Sequence, residues 1–270
     1  MDPTSTPVVK DLVLIGGGHS HVTVLKRFGM QPIPGIRVTL ICRDSHTPYS
    51  GMLPGFVAGH YDYDEVHIDL GALARFANAR FYHSEVVGLN PINQTITCDN
   101  RPDVRYDLLS INTGSSPNTS NVPGALENVV PVKPIHNFLN RWEQLTQRAM
   151  AHVGPMRIAV VGAGAGGVEL LLAARHRIKN LLQASGKPTD ALEFHLFGEA
   201  PEIMPTHNGL VRSTFTKILE DRDVHLHLGE RVIQVSPGSL MTANGSTLDA
   251  DEILWVTAAS APSWPAKAGL

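Results

Sequence analysis

The stretch Ile158-Ala-Val-Val-Gly-Ala-Gly-Ala-Gly-Gly167 decides the fold. An apolar, largely β-branched run reads as a buried strand, and Gly162, Gly164 and Gly167 follow it in the spacing G-x-G-x-x-G. In such a turn the first glycine permits the bend, and the second lets a pyrophosphate approach the backbone. The third lets the next helix pack on the strand, while the helix N-terminus offers free N–H groups to the phosphate. The pattern occurs earlier too, at Leu12-Val-Leu-Ile-Gly-Gly-Gly-His-Ser-His21. That copy has Gly16 and Gly18, but His21 stands where the third glycine belongs, and its ring is expected to widen the helix–strand contact. One turn alone points weakly to a nucleotide. Two, each opening its own βαβ unit, predict two dinucleotides held face to face, suited to passing electrons between them.

Composition sets the bounds. At 270 residues the chain has room for one large or two modest domains, and 43% hydrophobic against 17% charged residues supports a real core. A formal charge of −3 gives no field for nucleic acid. No apolar run approaches the ~20 residues of a membrane span. The opening Met1-Asp-Pro-Thr-Ser-Thr-Pro7 lacks the features of a signal peptide, so a soluble, cytoplasmic protein is expected. Cys42 and Cys98 form no C-x-x-C pair, and each reads as a small hydrophobe in or near a strand. The histidines lack ligand spacing. His225 and His227 share one strand face, read as solvated, and no metal is predicted.

Strands are expected at 11–16, 36–42, 79–87, 95–98 and 104–111, with helices at 19–29 and 69–79 and a loop over 46–55. Prolines at 123, 131 and 134 mark a linker, followed by an amphipathic helix over 135–152. The second unit reads as strand 157–161, helix 166–184, strand 192–197, helix 211–221, strand 224–228, a hairpin around 231–249 and strand 252–257. The fold class is α/β: two Rossmann-like doubly wound domains at 1–125 and 154–270, joined by a helical linker at 126–153.

The G-x-G turn, Thr113-Gly-Ser-Ser-Pro117, the second G-x-G-x-x-G with Glu169, and Leu254-Trp-Val-Thr-Ala258 together resemble the two-dinucleotide flavoprotein oxidoreductases. Within them the chain is most similar to the type II NADH dehydrogenase branch. More narrowly, Gly16–His21 with Thr47-Pro-Tyr-Ser-Gly-Met-Leu-Pro-Gly55 resembles the oxidoreductase region fused ahead of selenide, water dikinase. The resemblance implies FAD on the first unit and a nicotinamide nucleotide on the second. Gly16, Gly18, His19 and Ser20 would face the FAD pyrophosphate, Val86 and Val87 the adenine, and Thr113 and Gly114 the sugar–phosphate chain. Cys42, Arg43 and Pro48 fall in the same set. Gly162, Gly164, Gly167 and Glu199 would hold NAD(P)H, with Glu169 approaching the nicotinamide or flavin edge. Tyr49 and Ser50 would line the opposite flavin face, where the acceptor binds.

Several residues depart from the family pattern. Cys42 replaces the acidic residue expected to bind ribose hydroxyls after the second strand, and Gly198 with Glu199 stands at the matching place in the second unit. No arginine follows Glu199 to receive a 2′-phosphate, which favours NADH over NADPH. The cysteine pair of the disulfide reductases, expected near 47–53, is missing. Family members continue past the place of Leu270 with a flavin-gripping segment and a dimerisation or membrane-binding region. The C-terminal part of the FAD domain is thus expected to be missing, and with it any homodimer contact or peripheral attachment to the inner membrane. The expected activity is hydride transfer from NADH to FAD, then electron transfer to a small acceptor such as a quinone. Two alternatives stand beside it: a truncated, non-catalytic nucleotide-binding module, or a sulfide- or selenium-linked flavin oxidoreductase.

Overall fold

Strand β1 (Lys10–Ile15) pairs in parallel on both sides, with β2 (Ile36–Cys42) and with a strand that arrives much later in the chain, Leu108–Ile111. That pairing is the organising fact of the first unit. The computed structural model describes residues 7–117, 121–257, 259–260 and 264–270. The chain folds as two units, one of Met1–Tyr49, Asp64–Ser115 and Ala261–Leu270, the other of Ser50–Tyr63 and Ser116–Ser260.

In the first unit β1 leads through α1 (His19–Met30) to β2, then to the short antiparallel pair β3 (His46–Pro48) and β4 (His67–Asp69). Helix α3 (Leu70–Phe76) precedes β5 (Arg80–His83), and an antiparallel meander follows: β6 (Val86–Asn90), β7 (Thr95–Cys98) and β8 (Val104–Arg105). Then β9 (Leu108–Ile111) returns to lie beside β1, giving the parallel order β5-β2-β1-β9. One face of this sheet packs Leu14, Val38 and Leu40 with Leu25 of α1 and Leu70 of α3. The other face packs Val13, Ile15 and Ile41 with Ile96 and Cys98 of the meander, and Trp264 of α8 (Trp264–Lys267) joins it.

The second unit repeats the plan. β12 (Met156–Val161), α6 (Ala165–Ala184), β13 (Leu192–Gly198), α7 (Gly209–Glu220) and β14 (Val224–Leu228) are followed by the meander β15 (Val232–Ser236), β16 (Ser239–Thr242) and β17 (Thr247–Asp249). β18 (Glu252–Trp255) then returns beside β12, and β11 (Val130–Pro131) extends the parallel sheet to β11-β18-β12-β13-β14. The antiparallel pair β10 (Ser116–Pro117) and β19 (Ala259–Ser260), and α4 (Ala125–Asn128), complete the unit. Helix α5 (Ile135–Ala151) lies with α6 on one face, burying Phe138, Trp142 and Leu145 with Ile158 and Val160. The segment 50–63 groups with this unit because α2 (Leu53–Ala58) buries Leu53 and Val57 in the same cluster.

Each unit is thus a parallel α/β sheet with helices on one face. Its other face is covered largely by a three-stranded meander rather than by a second helical layer. Two expected strands prove to be two strands each. At Ser84 the backbone N–H still donates to Cys42 O (3.1 Å), but the next exchange, Asp99 N to Glu85 O (2.8 Å), belongs to the meander. Likewise Tyr106 N donates to Gln94 O at 3.1 Å, and Asp107 N to Asp11 O at 2.9 Å. A continuous run of strand-forming residues carries no mark of a change of partner. The expected loop at 46–55 contains β3, a 3₁₀ turn at Ser50–Met52 and the start of α2, whose Pro54 sits in the first turn where a missing N–H costs nothing.

The two units also share a register device. The Asp107 carboxylate accepts from Asp11 N (2.7 Å), and the Asp251 carboxylate from Arg157 N (2.7 Å), each locking the residue before the returning strand to the second residue of the first. Beside them the charges are reversed. Asp11 pairs with its cross-strand neighbour Arg37 through two contacts of 2.5 and 2.7 Å, while Arg157 pairs with its cross-strand neighbour Glu193 at 2.8 Å.

Histidines 225 and 227 are not simply solvated. His225 is exposed, but His227 is half-buried, lies parallel to the Phe197 ring at 4.2 Å, and its Nε2 is 3.1 Å from Nδ1 of buried His195. The ring of His225 stacks on His195 at 4.7 Å. Burial, reinforced by the neighbouring imidazoles and opposed by Glu193, pushes His195 down from 6.5 to about 4. Because the folded value lies below the unfolded one, this group's contribution is complete above pH 6.5 and is lost as pH falls towards 4. Urea unfolding at pH 7 and pH 4.5 should show His195→Phe losing less stability on acidification than the parent, by at most about 3 kcal/mol. Equal losses would contradict the assignment.

Candidate functional site

In each unit the connection after the first strand runs to one side and the returning strand lies on the other. The carboxyl end of that first strand is therefore a topological switch point, the place where open α/β sheets bind ligands. Both glycine turns stand there.

The second turn follows the expected geometry. Gly162 has φ +120°, and a Cβ on it would lie 2.5 Å from the Val256 oxygen at the end of β18. A Cβ on Gly167 would lie 1.7 Å from the Gly162 oxygen, so only glycine lets α6 start this close to the strand. Gly164 differs. Its φ is −74°, open to any residue, and a Cβ there would meet no atom within 4 Å. Neither backbone strain nor packing demands glycine at 164, where its only structural merit is as an N-cap; a ligand pressed against that backbone would demand it. Helix α6 has no side-chain cap at its start, whereas the next helix, α7, is capped by Asn208 accepting from Val211 N at 2.9 Å. The outermost N–H groups of α6 and its positive dipole end are open to an anion, although α2, α4 and α5 also start without a side-chain cap. The buried Thr257 hydroxyl, just past β18, has no partner. Open backbone, an uncapped helix and an unpaired hydroxyl fit a nucleotide's pyrophosphate and sugar.

The first turn reaches the same end by other means. Gly16 has φ +91°, with the Asn112 oxygen 2.2 Å from where its Cβ would be. Asn112 N donates to Ile15 O (2.7 Å), and its carbonyl accepts from Gly18 N (3.2 Å). At the third-glycine position His21 is 1% exposed. Its Nδ1 lies 2.7 Å from the Gly16 oxygen and its Nε2 2.8 Å from Ser110 Oγ on β9. Where the second turn has a bare glycine, the first thus has a buried imidazole bonded at both nitrogens. Helix α1 also lacks a side-chain cap, while α3 has one from Asp69 to Ala72 N (2.9 Å). Gly18 packs against the Asn112 side chain, 2.3–2.5 Å from the place of a Cβ.

Around this turn the first unit gathers several expected residues. His19 begins α1 with its Nε2 buried and unpartnered, and its ring meets Tyr49 edge-on at 4.8 Å. Ser20, Thr113 and Gly114 are exposed at the same end of the sheet. Cys42 ends β2 with its thiol pKa pushed up, chiefly by burial, and its sulfur would be 3.2 Å from a Cβ on Gly17. Arg43 is exposed and lies 3.3 Å from Asp44, and Pro48 ends β3. Val86 is packed in the core cluster beneath the sheet, while neighbouring Val87 is 57% exposed. Ser50, Glu169 and Glu199 are exposed residues of the second unit, on the 3₁₀ turn, on α6 and just after β13. Sequence inspection missed Ser110, Asn112 and Thr257. Only the returning strand's place beside the first reveals them. Among the described residues no cluster of histidine, cysteine or acidic side chains suited to a metal is present.

The glycines should separate by substitution. Gly167→Ala is expected to destabilise the chain by about 3 kcal/mol, through collision with a backbone oxygen that cannot move alone. Gly164→Ala should cost about 1 kcal/mol or less, the loss of a favourable N-cap residue. Thermal or urea unfolding of the two variants checks the contrast.

Comparison with known proteins agrees with this plan. Residues 10–268 match the model of the pyridine nucleotide-disulphide oxidoreductase family. The type II NADH:quinone oxidoreductase of Haemophilus influenzae is 24% identical over 174 residues, 56% of this chain and 39% of that protein. The sulfide-quinone reductase of Aquifex aeolicus is 26% identical over 157 residues, 57% of this chain and 35% of that one. The matched part thus spans well under half the length of these relatives. In structure, NDH2 from Plasmodium falciparum in complex with NADH superposes with a TM-score of 0.84 at 17% identity, over 94% of this chain and 56% of that chain. The duplicated sheet, the paired glycine turns and the match along nearly the whole length make the chain a member of the pyridine nucleotide-disulphide oxidoreductase family.

Proposed function

We propose that the chain is the two-nucleotide part of a flavin-dependent NADH oxidoreductase, with FAD on the turn at Gly16–Gly18 and NADH on the turn at Gly162–Gly167. The observation that carries this is Gly164, a glycine the fold does not require, beside an uncapped helix start and the unpaired Thr257 hydroxyl. Bound in this way, the flavin would take a hydride from the nicotinamide and pass electrons to an acceptor. The chain's part is to bind and orient. Uncapped α1 and α6 would each face a pyrophosphate, Cys42 and Arg43 would stand beside the adenosine ribose of FAD, and Glu199 would meet that of NADH. Val86, Val87, Thr113 and Gly114 would complete the FAD contacts. We assign Glu169 to the nicotinamide side, and Tyr49 and Ser50 to the acceptor side.

A quinone is the leading acceptor, since the relatives from Haemophilus influenzae and Aquifex aeolicus are named for quinone reduction. A sulfur or selenium compound is the second reading, favoured by the likeness of Gly16–His21 and Thr47–Gly55 to the region fused ahead of selenide, water dikinase. No helix among the described residues is long and apolar enough to cross a membrane. Any approach to a lipid-borne quinone would be peripheral.

Adding FAD to the purified chain should give bound-flavin absorption, which NADH bleaches anaerobically and NADPH bleaches less readily. Gly164→Val should keep the flavin bands while raising the NADH needed for half-bleaching at least about tenfold, as loss of a charged hydrogen-bonded contact would. A chain that binds no flavin is a nucleotide-binding module and not this enzyme. Flavin that stays yellow under NADH sinks the hydride step.

A further inference from the structure

The third-glycine position of the first turn carries a substitution that ought to spoil it. In the second unit the same position has no room for even a methyl group, 1.7 Å from a carbonyl oxygen. In the first unit an entire imidazole is accommodated, buried and bonded at both nitrogens. The partners settle its protons. A carbonyl oxygen only accepts, so Nδ1 must carry hydrogen and donate to Gly16 O. In a neutral ring Nε2 then has a lone pair, which accepts from the Ser110 hydroxyl. Burial lowers the His21 pKa below its ordinary value, which favours that neutral ring.

What the bridge joins is equally specific. Gly16 is the residue whose positive φ makes the turn, and its carbonyl orientation fixes which way the following N–H groups face. Ser110 belongs to β9, whose last residue, Ile111, leads directly into Asn112, the residue packed beneath Gly16 and Gly18. His21 itself lies in the first turn of α1. One side chain thus connects the turn, the helix start and the returning strand.

We propose that His21 is a positioning residue of the first dinucleotide cradle. As a neutral, Nδ1-protonated imidazole bridging Gly16 O and Ser110 Oγ, it does by hydrogen bonding what the third glycine does by close packing. The proposal rests on the assignment of FAD to this unit. Its effect on the ligand is indirect: with the bridge broken, the Gly16 carbonyl loses its buried donor and the turn's N–H groups lose their fixed aim.

The test separates donor position from general packing. Asparagine can present its amide N–H near the place of Nδ1, whereas glutamine reaches the place of Nε2. FAD titration, followed by flavin fluorescence well below the melting temperature, should find His21→Asn within about threefold of the parent and His21→Gln weaker by about tenfold or more. Ser110→Ala should fall between them. Long-range proton–nitrogen NMR of the ligand-free chain should show the Nδ1–H tautomer for His21. An Nε2–H tautomer, or His21→Gln binding FAD as tightly as the parent, would overturn the proposal. If the parent chain binds no FAD, the flavin assignment fails separately, and the tautomer still decides whether the bridge exists.

Discussion

Two backbone oxygens, those of Asn112 and Val256, stand where a Cβ on Gly16 or Gly162 would have to go. This close approach of the first strand's end to the returning strand's end is the constraint on which each unit depends. It holds the switch point tight, with Asn112 N donating to Ile15 O (2.7 Å) and Val256 N to Val161 O (2.8 Å). It forces a positive φ that only glycine adopts readily. It also places the next helix start at the end of the sheet, where the outermost N–H groups lack an intrahelical acceptor.

At the opposite end of each sheet a second lock sets the register. Asp107 and Asp251 reach the backbone of the first strand in the same way, although the segments leading to them have little in common. The cross-strand ion pairs beside them run in opposite senses, Asp11 with Arg37 and Arg157 with Glu193. Their partly exposed setting limits what they add to stability. Their signs still discriminate: pairing β1 with β13 in the native register would set Asp11 against Glu193, and pairing β12 with β2 would set Arg157 against Arg37. Two similar units in one chain gain from such a distinction.

The cradles show how one backbone geometry tolerates different side-chain solutions. In the second, bare glycine against carbonyl leaves an open wall at Gly164. In the first, the Asn112 amide packs against Gly18, Leu70 and Cys42 crowd Gly17, and His21 fills the helix–strand gap. A glycine pattern scores the second as the better site. In the structure the first is held by two hydrogen bonds of His21 at the place where the second has a glycine against a carbonyl.

The α/β class, the two glycine turns and the core strands β1, β2, β12 and β13 were legible in the sequence, because apolar runs ending in spaced glycines are local signals. The divisions at Ser84–Glu85 and Tyr106–Asp107 were not. A strand's residues record that it is paired but not with which neighbour, and there the chain leaves one sheet for another. The imidazole stack of His195, His225 and His227 was hidden for a similar reason, since two of its members meet the third only across paired strands. His21 was visible as a misfit and intelligible only once Ser110 stood opposite it. Short-range chemistry fixed where the chain bends and which helix starts lie bare. Long-range pairing decided which side chains complete those bends, because a partner many residues away leaves no trace in the local pattern.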